Sequence, residues 1–275
     1  MVRPKKHLGQ HFLTDRSIAR RIVQALEHPA GACVLEIGPG KGILTEPLLE
    51  QDLRLILVEI DPESADYLIK KWPQLEAALV REDFLKLDLG EVCGEPFHII
   101  GNFPYNISSQ IFFRVLESRH LVSSIVCMLQ KEVADRIASP PGSREYGILS
   151  VLLGAFFDAE ILFTVKPGSF FPPPQVTSSV MRLSRNQTET LPCDEVLFFR
   201  IVKTVFNQRR KMIRNSIKSI LLNLGGDSNH SKKHHEEQGV SEEEFYLLRK
   251  RPEELGVPEF IELTRWVTSL QSEAL

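Results

Sequence analysis

Cysteine is scarce and scattered in this chain. Cys33, Cys93, Cys127 and Cys193 are all there is, and none forms a C-x-x-C pair, which argues against a zinc ribbon and predicts reduced, mostly buried thiols in place of disulfides. No apolar run approaches the ~18–20 residues of a membrane span. The opening Met1-Val2-Arg3-Pro4-Lys5-Lys6 has no apolar signal-peptide core, so a cytoplasmic location is expected. Histidines gather only in the polar stretch 225–238, where His230, His234 and His235 read as a solvated loop. No metal is expected. Acidic residues are missing from one long interval, between residues 196 and 226, although the whole chain carries a net charge of −3.

What is present is an ordinary globular composition, 43% hydrophobic and 25% charged over 275 residues, enough for one sizeable domain and a smaller one. Apolar runs at 33–37, 53–60, 77–80, 98–101, 124–129, 159–164 and 179–183 read as seven strands, with helical patterns between the first five. Such alternation predicts an α/β fold with a mostly parallel sheet. The short Pro-rich connection 166–178 makes the last two strands an antiparallel pair at the sheet edge. Residues 185–192 are polar and aperiodic, a linker. Helical patterns follow at 195–206, 209–224, 242–250 and 258–270. The expected domains are therefore 1–184, an α/β unit, and 193–275, a small helical unit.

The first strand runs straight into Gly38-Pro39-Gly40-Lys41-Gly42. Glycines at such a βα turn let backbone N–H groups approach a ligand closely. A dinucleotide fingerprint would need glycine where Ile43 stands, so the spacing favours a cofactor without a pyrophosphate. Glu59 lies about 20 residues on, where an acid commonly meets a ribose diol. Asp83 and Phe84 follow a third strand, suited to an adenine amine and an adenine ring. That order fits S-adenosyl-L-methionine. Glu36, ahead of the glycines, reads either as a ligand contact or as a satisfied carboxylate near a helix start.

Asn102-Phe103-Pro104-Tyr105 follows the fourth strand. An adenine amine is a poor nucleophile because its lone pair is delocalised, and two acceptors drawing on its two N–H bonds would aim that lone pair outward. The Asn102 side-chain oxygen and the Phe103 or Pro104 carbonyl suit that task, and Tyr105 offers a face for stacking. Pro104 fixes its own φ and holds its predecessor extended. By residues alone the stretch equally fits a strand-to-helix turn in which Asn102 caps and Ser108 or Ser109 starts the next helix.

Together with Lys5-Lys6-His7-Leu8-Gly9-Gln10-His11-Phe12-Leu13, Gln130-Lys131-Glu132-Val133-Ala134 and Pro167-Gly168-Ser169-Phe170-Phe171-Pro172-Pro173-Pro174-Gln175-Val176, these motifs resemble the KsgA/RsmA family of small-subunit ribosomal RNA adenine-N6,N6-dimethyltransferases over nearly the whole chain. The resemblance implies a Rossmann-like class I methyltransferase and a 16S rRNA substrate in the small subunit or its precursor, dimethylated at two adjacent loop adenines of a 3′-terminal hairpin. It implies a cofactor pocket of Gln10, His11, Leu13, Gly38, Gly40, Glu59, Ile60, Asp83, Phe84 and Asn102. It further implies a base site of Asn102, Pro104 and Tyr105, with Phe170 as a second aromatic wall, in a monomeric enzyme. Two positions depart from the usual pattern: His11, where asparagine is more common, and Phe171, where the residue is often small or polar.

The acid-free interval carries Arg200, Lys203, Arg209, Arg210, Lys211, Arg214 and Lys218, and a second basic group, Arg3, Lys5, Lys6, Arg16, Arg20 and Arg21, lies at the N-terminus. Such stripes are either an RNA footprint or solvated helix faces. Lys5, Lys6, Arg209, Arg210, Lys211 and Arg214 are taken as RNA contacts. The residues of loop 139–147 form either a mobile lip or a plain surface loop. Competing readings are an antibiotic-resistance 23S rRNA methyltransferase, a ribosome-assembly binding factor and a DNA adenine methylase.

Overall fold

The structure is a computed structural model and describes residues 2–222 and 242–272. The Lys6 side chain, the stretch 225–238 and the end of the helix expected over 209–224 lie outside the described residues. The chain divides into two compact units: residues 1–135 with 156–187, and residues 136–155 with 188–275.

Among the described residues the first unit carries nine strands: β1 (Phe12–Leu13), β2 (Ala32–Ile37), β3 (Leu53–Val58), β4 (Leu79–Val80), β5 (Phe97–Asn102), β6 (Val122–Gln130), β7 (Phe157–Val165), β8 (Phe170–Phe171) and β9 (Ser178–Arg185). Seven form one sheet in the order β4-β3-β2-β5-β6-β9-β7, parallel from β4 to β6. The central strands are buried on both faces, as Cys33 to Ile37 and Phe97 to Gly101 are, which is why they read as unbroken apolar runs. Strand β9 is inserted between β6 and β7 and runs antiparallel to both. The antiparallel strand thus sits one place in from the edge. The edge itself is β7, whose exposed Asp158 and Glu160 discourage pairing with another chain.

Aspartates start two of the helices of this unit. Asp15 accepts from the Ser17 and Ile18 N–H groups ahead of Arg16–Gln24, and Asp61 accepts from Glu63 N–H ahead of Pro62–Lys71, with Pro62 at the first helical position. The helix Arg16–Gln24 buries Ala19, Ile22 and Val23 into a cluster with Leu48, Ile100, Val126 and Val180. Strands β1 and β8 form a separate two-residue antiparallel ladder, Phe12 opposite Phe171 and Leu13 opposite Phe170. Nothing in the sequence announces it, because two residues carry no periodicity.

The second unit is helical: Ile148–Gly154, Glu195–Phe206, Ile213–Ser216, Lys218–Leu222, Glu242–Arg249 and Val257–Ser272. Residues 136–155 differ from the domain boundary expected at 184. They leave the sheet between β6 and β7, and the helix Ile148–Gly154 packs on Glu195–Phe206 and Val257–Ser272 instead. The loop 139–147 is anchored there: Gly142 N–H donates to the Glu253 carbonyl at 2.7 Å, and Tyr146 is buried edge-on to Phe206. Among the described residues no helix is long and apolar enough to cross a membrane. Cys33, Cys93 and Cys127 are buried free thiols, and Cys193 is half-buried.

Candidate active site

The carboxyl ends of β2, β3 and β5 open into one cleft, the usual place for a ligand in an open parallel sheet. Its cavity of about 230 Å³ is lined by residues 7–12, by Gly38 and Gly40 after β2, by Glu59 and Ile60 after β3, by residues 82–85, and by residues 102–107. Nearly all the expected donor-binding and base-binding residues therefore share one space.

The N-terminal segment is strapped across this cleft. Lys5 Nζ lies 2.5 Å from Asp61 Oδ1 and 3.5 Å from Glu63, Gln10 Nε2 donates to Asp61 Oδ2 at 3.2 Å, and the Gln10 Oε1 accepts from Lys5 N–H at 2.9 Å. Burial opposes ionisation of Asp61, yet the bonds from Lys5, Gln10 and Ser64 outweigh it and hold its carboxyl below the usual aspartate range. Lys5, expected on RNA, is thus engaged with two carboxylates. Farther along the strap, Gly9 has φ +61°, and a Cβ there would sit 2.4 Å from Asn106 Oδ1. Only glycine fits.

On the donor side Glu59 is 4% exposed; its Oε2 accepts from Gly40 N–H and its Oε1 from Asp61 N–H, both at 2.9 Å. A carboxylate has about four acceptor positions, so two remain for a ligand diol. Burial raises the Glu59 pKa, with the Asp61 charge adding to the rise, against the pull of the Asp61, Gly40 and Ile60 N–H groups. Gly38, at φ +64°, has nothing within 4 Å of where a Cβ would stand, leaving open space at the turn, while at Gly40 (φ +58°) a Cβ would strike the Phe12 ring at 2.9 Å. Ile60 is 49% exposed on the cleft, an apolar surface for a flat ring. Asp83 accepts from Leu85 N–H at 3.0 Å and caps the turn Phe84–Lys86, with Phe84 buried beneath. Leu13 departs from expectation: it lies in the apolar cluster and borders a small recess beside Glu36, Gly38 and Asn102.

On the base side, Asn102 Nδ2 donates to the His11 carbonyl at 2.8 Å, which fixes the amide so that Oδ1 is the free end. That oxygen is buried without a hydrogen-bond partner. Asn102 is no helix cap, since the helix Ser108–Glu117 begins after Ile107 with no side-chain cap. Phe103 is the motif's anchor, 1% exposed and edge-on to Phe112 at 5.8 Å. Pro104 and Tyr105 line the cleft; the Tyr105 hydroxyl meets Ser178 Oγ at 2.5 Å, and its ring stacks on His11 at 5.3 Å. His11 Nδ1 is 2.8 Å from the Pro172 carbonyl, so this histidine ties the base motif to the block after β8. Phe170, expected as an aromatic wall, lies outside the lining of the cleft. Successive strand residues point to opposite faces, and Phe170, opposite Leu13, is 4% exposed in the apolar cluster with Val165 and Val180, while Phe171 is 58% exposed.

Glu36 resolves toward the structural role. It is 1% exposed, accepts from Thr45 Oγ1 at 2.7 Å, and burial pushes its pKa up to about 8, with the Glu59 charge adding to the rise. A carboxyl raised in the fold above its unfolded value keeps a proton that the unfolded chain has lost, so its stabilisation is complete below the ordinary pKa of 4.5 and is lost as pH rises through about 8. Urea midpoints of the wild type should therefore fall between pH 5 and pH 8.5 more steeply than those of Glu36→Gln. Parallel curves for the two proteins would remove Glu36 as the source.

In the helical unit Arg210, Lys211 and Arg214 are exposed. Arg209 is engaged within that unit, donating to the Ser143 carbonyl at 3.1 Å and lying 3.8 Å from Glu253. Sequence reasoning passed over Asp61 as an anchor of the strap, His11 as a bridge, and Ser178. Of these only Asp61 had a legible signal, an aspartate directly before a helix-starting proline.

Residues 1–246 match the model of a family described as ribosomal RNA adenine dimethylase. A ribosomal RNA small subunit methyltransferase A of Parabacteroides distasonis is 50% identical over 96% of this chain and 94% of its own length, and one of Flavobacterium johnsoniae is 49% identical over 96% and 95%. Among solved structures, a dimethyladenosine transferase from Plasmodium falciparum superposes with a TM-score of 0.76 at 24% identity, covering 94% of this chain and 98% of that one. The 23S rRNA methyltransferase ErmE gives 0.62 at 28% identity, with 92% and 99% covered. The chain belongs to the ribosomal RNA adenine dimethylase family.

Proposed function

We propose that this chain dimethylates N6 of two adjacent adenines in a 3′-terminal hairpin loop of 16S rRNA, within the small subunit or its precursor, late in subunit assembly, as a monomer in the cytoplasm. The observation that carries the reading is the orphaned Asn102 Oδ1. Leaving a buried acceptor unpaired costs about 1–3 kcal/mol, and a site keeps such a group where a ligand supplies the donor. An adenine amine everted into the cleft does so.

The residues present fit S-adenosyl-L-methionine. Glu59 keeps two acceptor positions for the ribose hydroxyls, Asp83 keeps acceptor capacity for the adenine amine, Ile60 lies open for its ring, and the turn at Gly38 leaves room for the methionine portion. When bound, it supplies an electrophilic methyl carbon on a sulfonium sulfur. Asn102 Oδ1 accepts one N–H of adenine N6 and a motif carbonyl, Phe103 or Pro104, accepts the other. Pro104 already takes Ile107 N–H at 3.2 Å and has a second lone pair left. The two bonds hold the amine lone pair toward the donor, and Tyr105, braced by Ser178 and His11, offers its remaining face to the base. Because the alkylated amine is acidic, water takes its proton and no side-chain base is needed. Positioning and electrostatic alignment carry the rate.

The exposed Arg210, Lys211 and Arg214, in an interval without acids, support phosphate contacts by the helical unit. The relatives near 50% identity favour the small-subunit substrate over the 23S activity named for ErmE. Mass spectrometry of ribosomal RNA from cells with and without the protein distinguishes them. Dimethyladenosine near the 3′ end of 16S rRNA should disappear with the gene, and loss of the mark from 23S rRNA instead would overturn the assignment.

A further inference from the structure

Phe171 is a large aromatic residue held 58% exposed, and exposure alone would mean little, because single apolar side chains on a surface are common. Three contacts set it apart. It lies directly opposite Phe12 in the β1–β8 ladder, and opposed residues of an antiparallel pair share a face. Phe12 lines the cleft. The Lys41 ammonium lies over both rings, 4.9 Å from the Phe12 ring centre and 5.9 Å from that of Phe171, placing a cation beside an exposed aromatic side chain. The next residue, Pro172, meets His11 Nδ1 through its carbonyl, and His11 both stacks on Tyr105 and accepts from Asn102. One residue of extended chain, about 3.4 Å of rise, separates the platform from the scaffold of the base site.

We propose that Phe171 stacks the nucleotide adjoining the target adenine while Lys41 meets its phosphate. This rests on the assignment of the target base to Asn102. An aromatic face beside a cation matches a single-stranded nucleotide, whose base offers a π-face and whose backbone offers negative charge. With the neighbour pinned on Phe171, the target base is drawn out of the strand toward Asn102, and the adenine next in line is already unstacked from it. Phe170, one position away, is 4% exposed in the apolar cluster and offers no such open face.

The test uses the full chain and an RNA hairpin with two adjacent loop adenines, one of them replaced by fluorescent 2-aminopurine. Stacking quenches that label. Wild type should quench it. Phe171→Ala should leave it bright and bind the hairpin roughly tenfold more weakly, as loss of one base-aromatic stack predicts, and Phe171→Trp should restore both. A wild-type chain that leaves the label bright, or a Phe171→Ala chain that quenches and binds as wild type does, overturns the proposal. Methyl transfer by Asn102→Ala to the unlabelled hairpin tests the target-base assignment separately.

Discussion

Asn102→Ala should lower the turnover number for methyl transfer by roughly a hundred- to thousandfold, the loss typical when a preorganised polar group aimed at the reacting centre is removed. Oδ1 makes no bond inside the protein, so its deletion removes nothing that holds the fold together. What the fold does lose is the Nδ2 bond to the His11 carbonyl. Some loosening of the strap follows, and donor affinity, measured by calorimetry, should change by far less than turnover. Radiolabelled methyl incorporation at saturating donor and RNA is the decisive measurement. Turnover within threefold of wild type would strip Asn102 of its assigned role.

The second large effect concerns Glu59. Glu59→Ala should weaken donor binding at least tenfold, because two hydrogen bonds to a charged acceptor, each worth about 1.5–3 kcal/mol, are lost together. Two further acceptor positions of the same carboxylate hold Gly40 N–H and Asp61 N–H, so the turn after β2 and the start of the Pro62–Lys71 helix loosen as well. The wild type carries its own pH signature. Burial sets the Glu59 pKa above the ordinary carboxylate value, and only the ionised form accepts at every lone pair, so donor affinity declines as pH falls through that raised value. Calorimetric titration across pH should find this acid limb in wild type and find it missing from Glu59→Ala. An unchanged dissociation constant in the variant would eliminate the ribose contact.

The sheet was readable because each of its seven strands is an apolar run with a turn signal at its end, and strands buried on both faces cannot hide. The cleft was readable for the same reason: glycine turns and acids at the ends of parallel strands stand at positions that the fold dictates. The burial of Phe170 was not legible because a two-residue strand carries no period, and one step along it exchanges solvent for core. Residues 136–155 were misplaced because a helical pattern does not state which neighbour it packs on. Lys5 and Arg209 read as free cations, since sequence displays charge but not the distant carboxylates and carbonyl that engage it. Asn102 was legible as an acceptor, but its fixed orientation depends on a backbone carbonyl 91 positions earlier.

The cleft's lining runs only from His7 to Ile107, whereas the braces of the acceptor wall, Phe171, Pro172 and Ser178, arrive more than sixty positions later. During synthesis, then, the whole lining of the cleft emerges from the ribosome well before Pro172 and Ser178, which brace His11 and Tyr105 within it. Changes in β8 or at the start of β9 therefore reach the cleft only through Phe12, His11 and Tyr105, without replacing any residue of its lining.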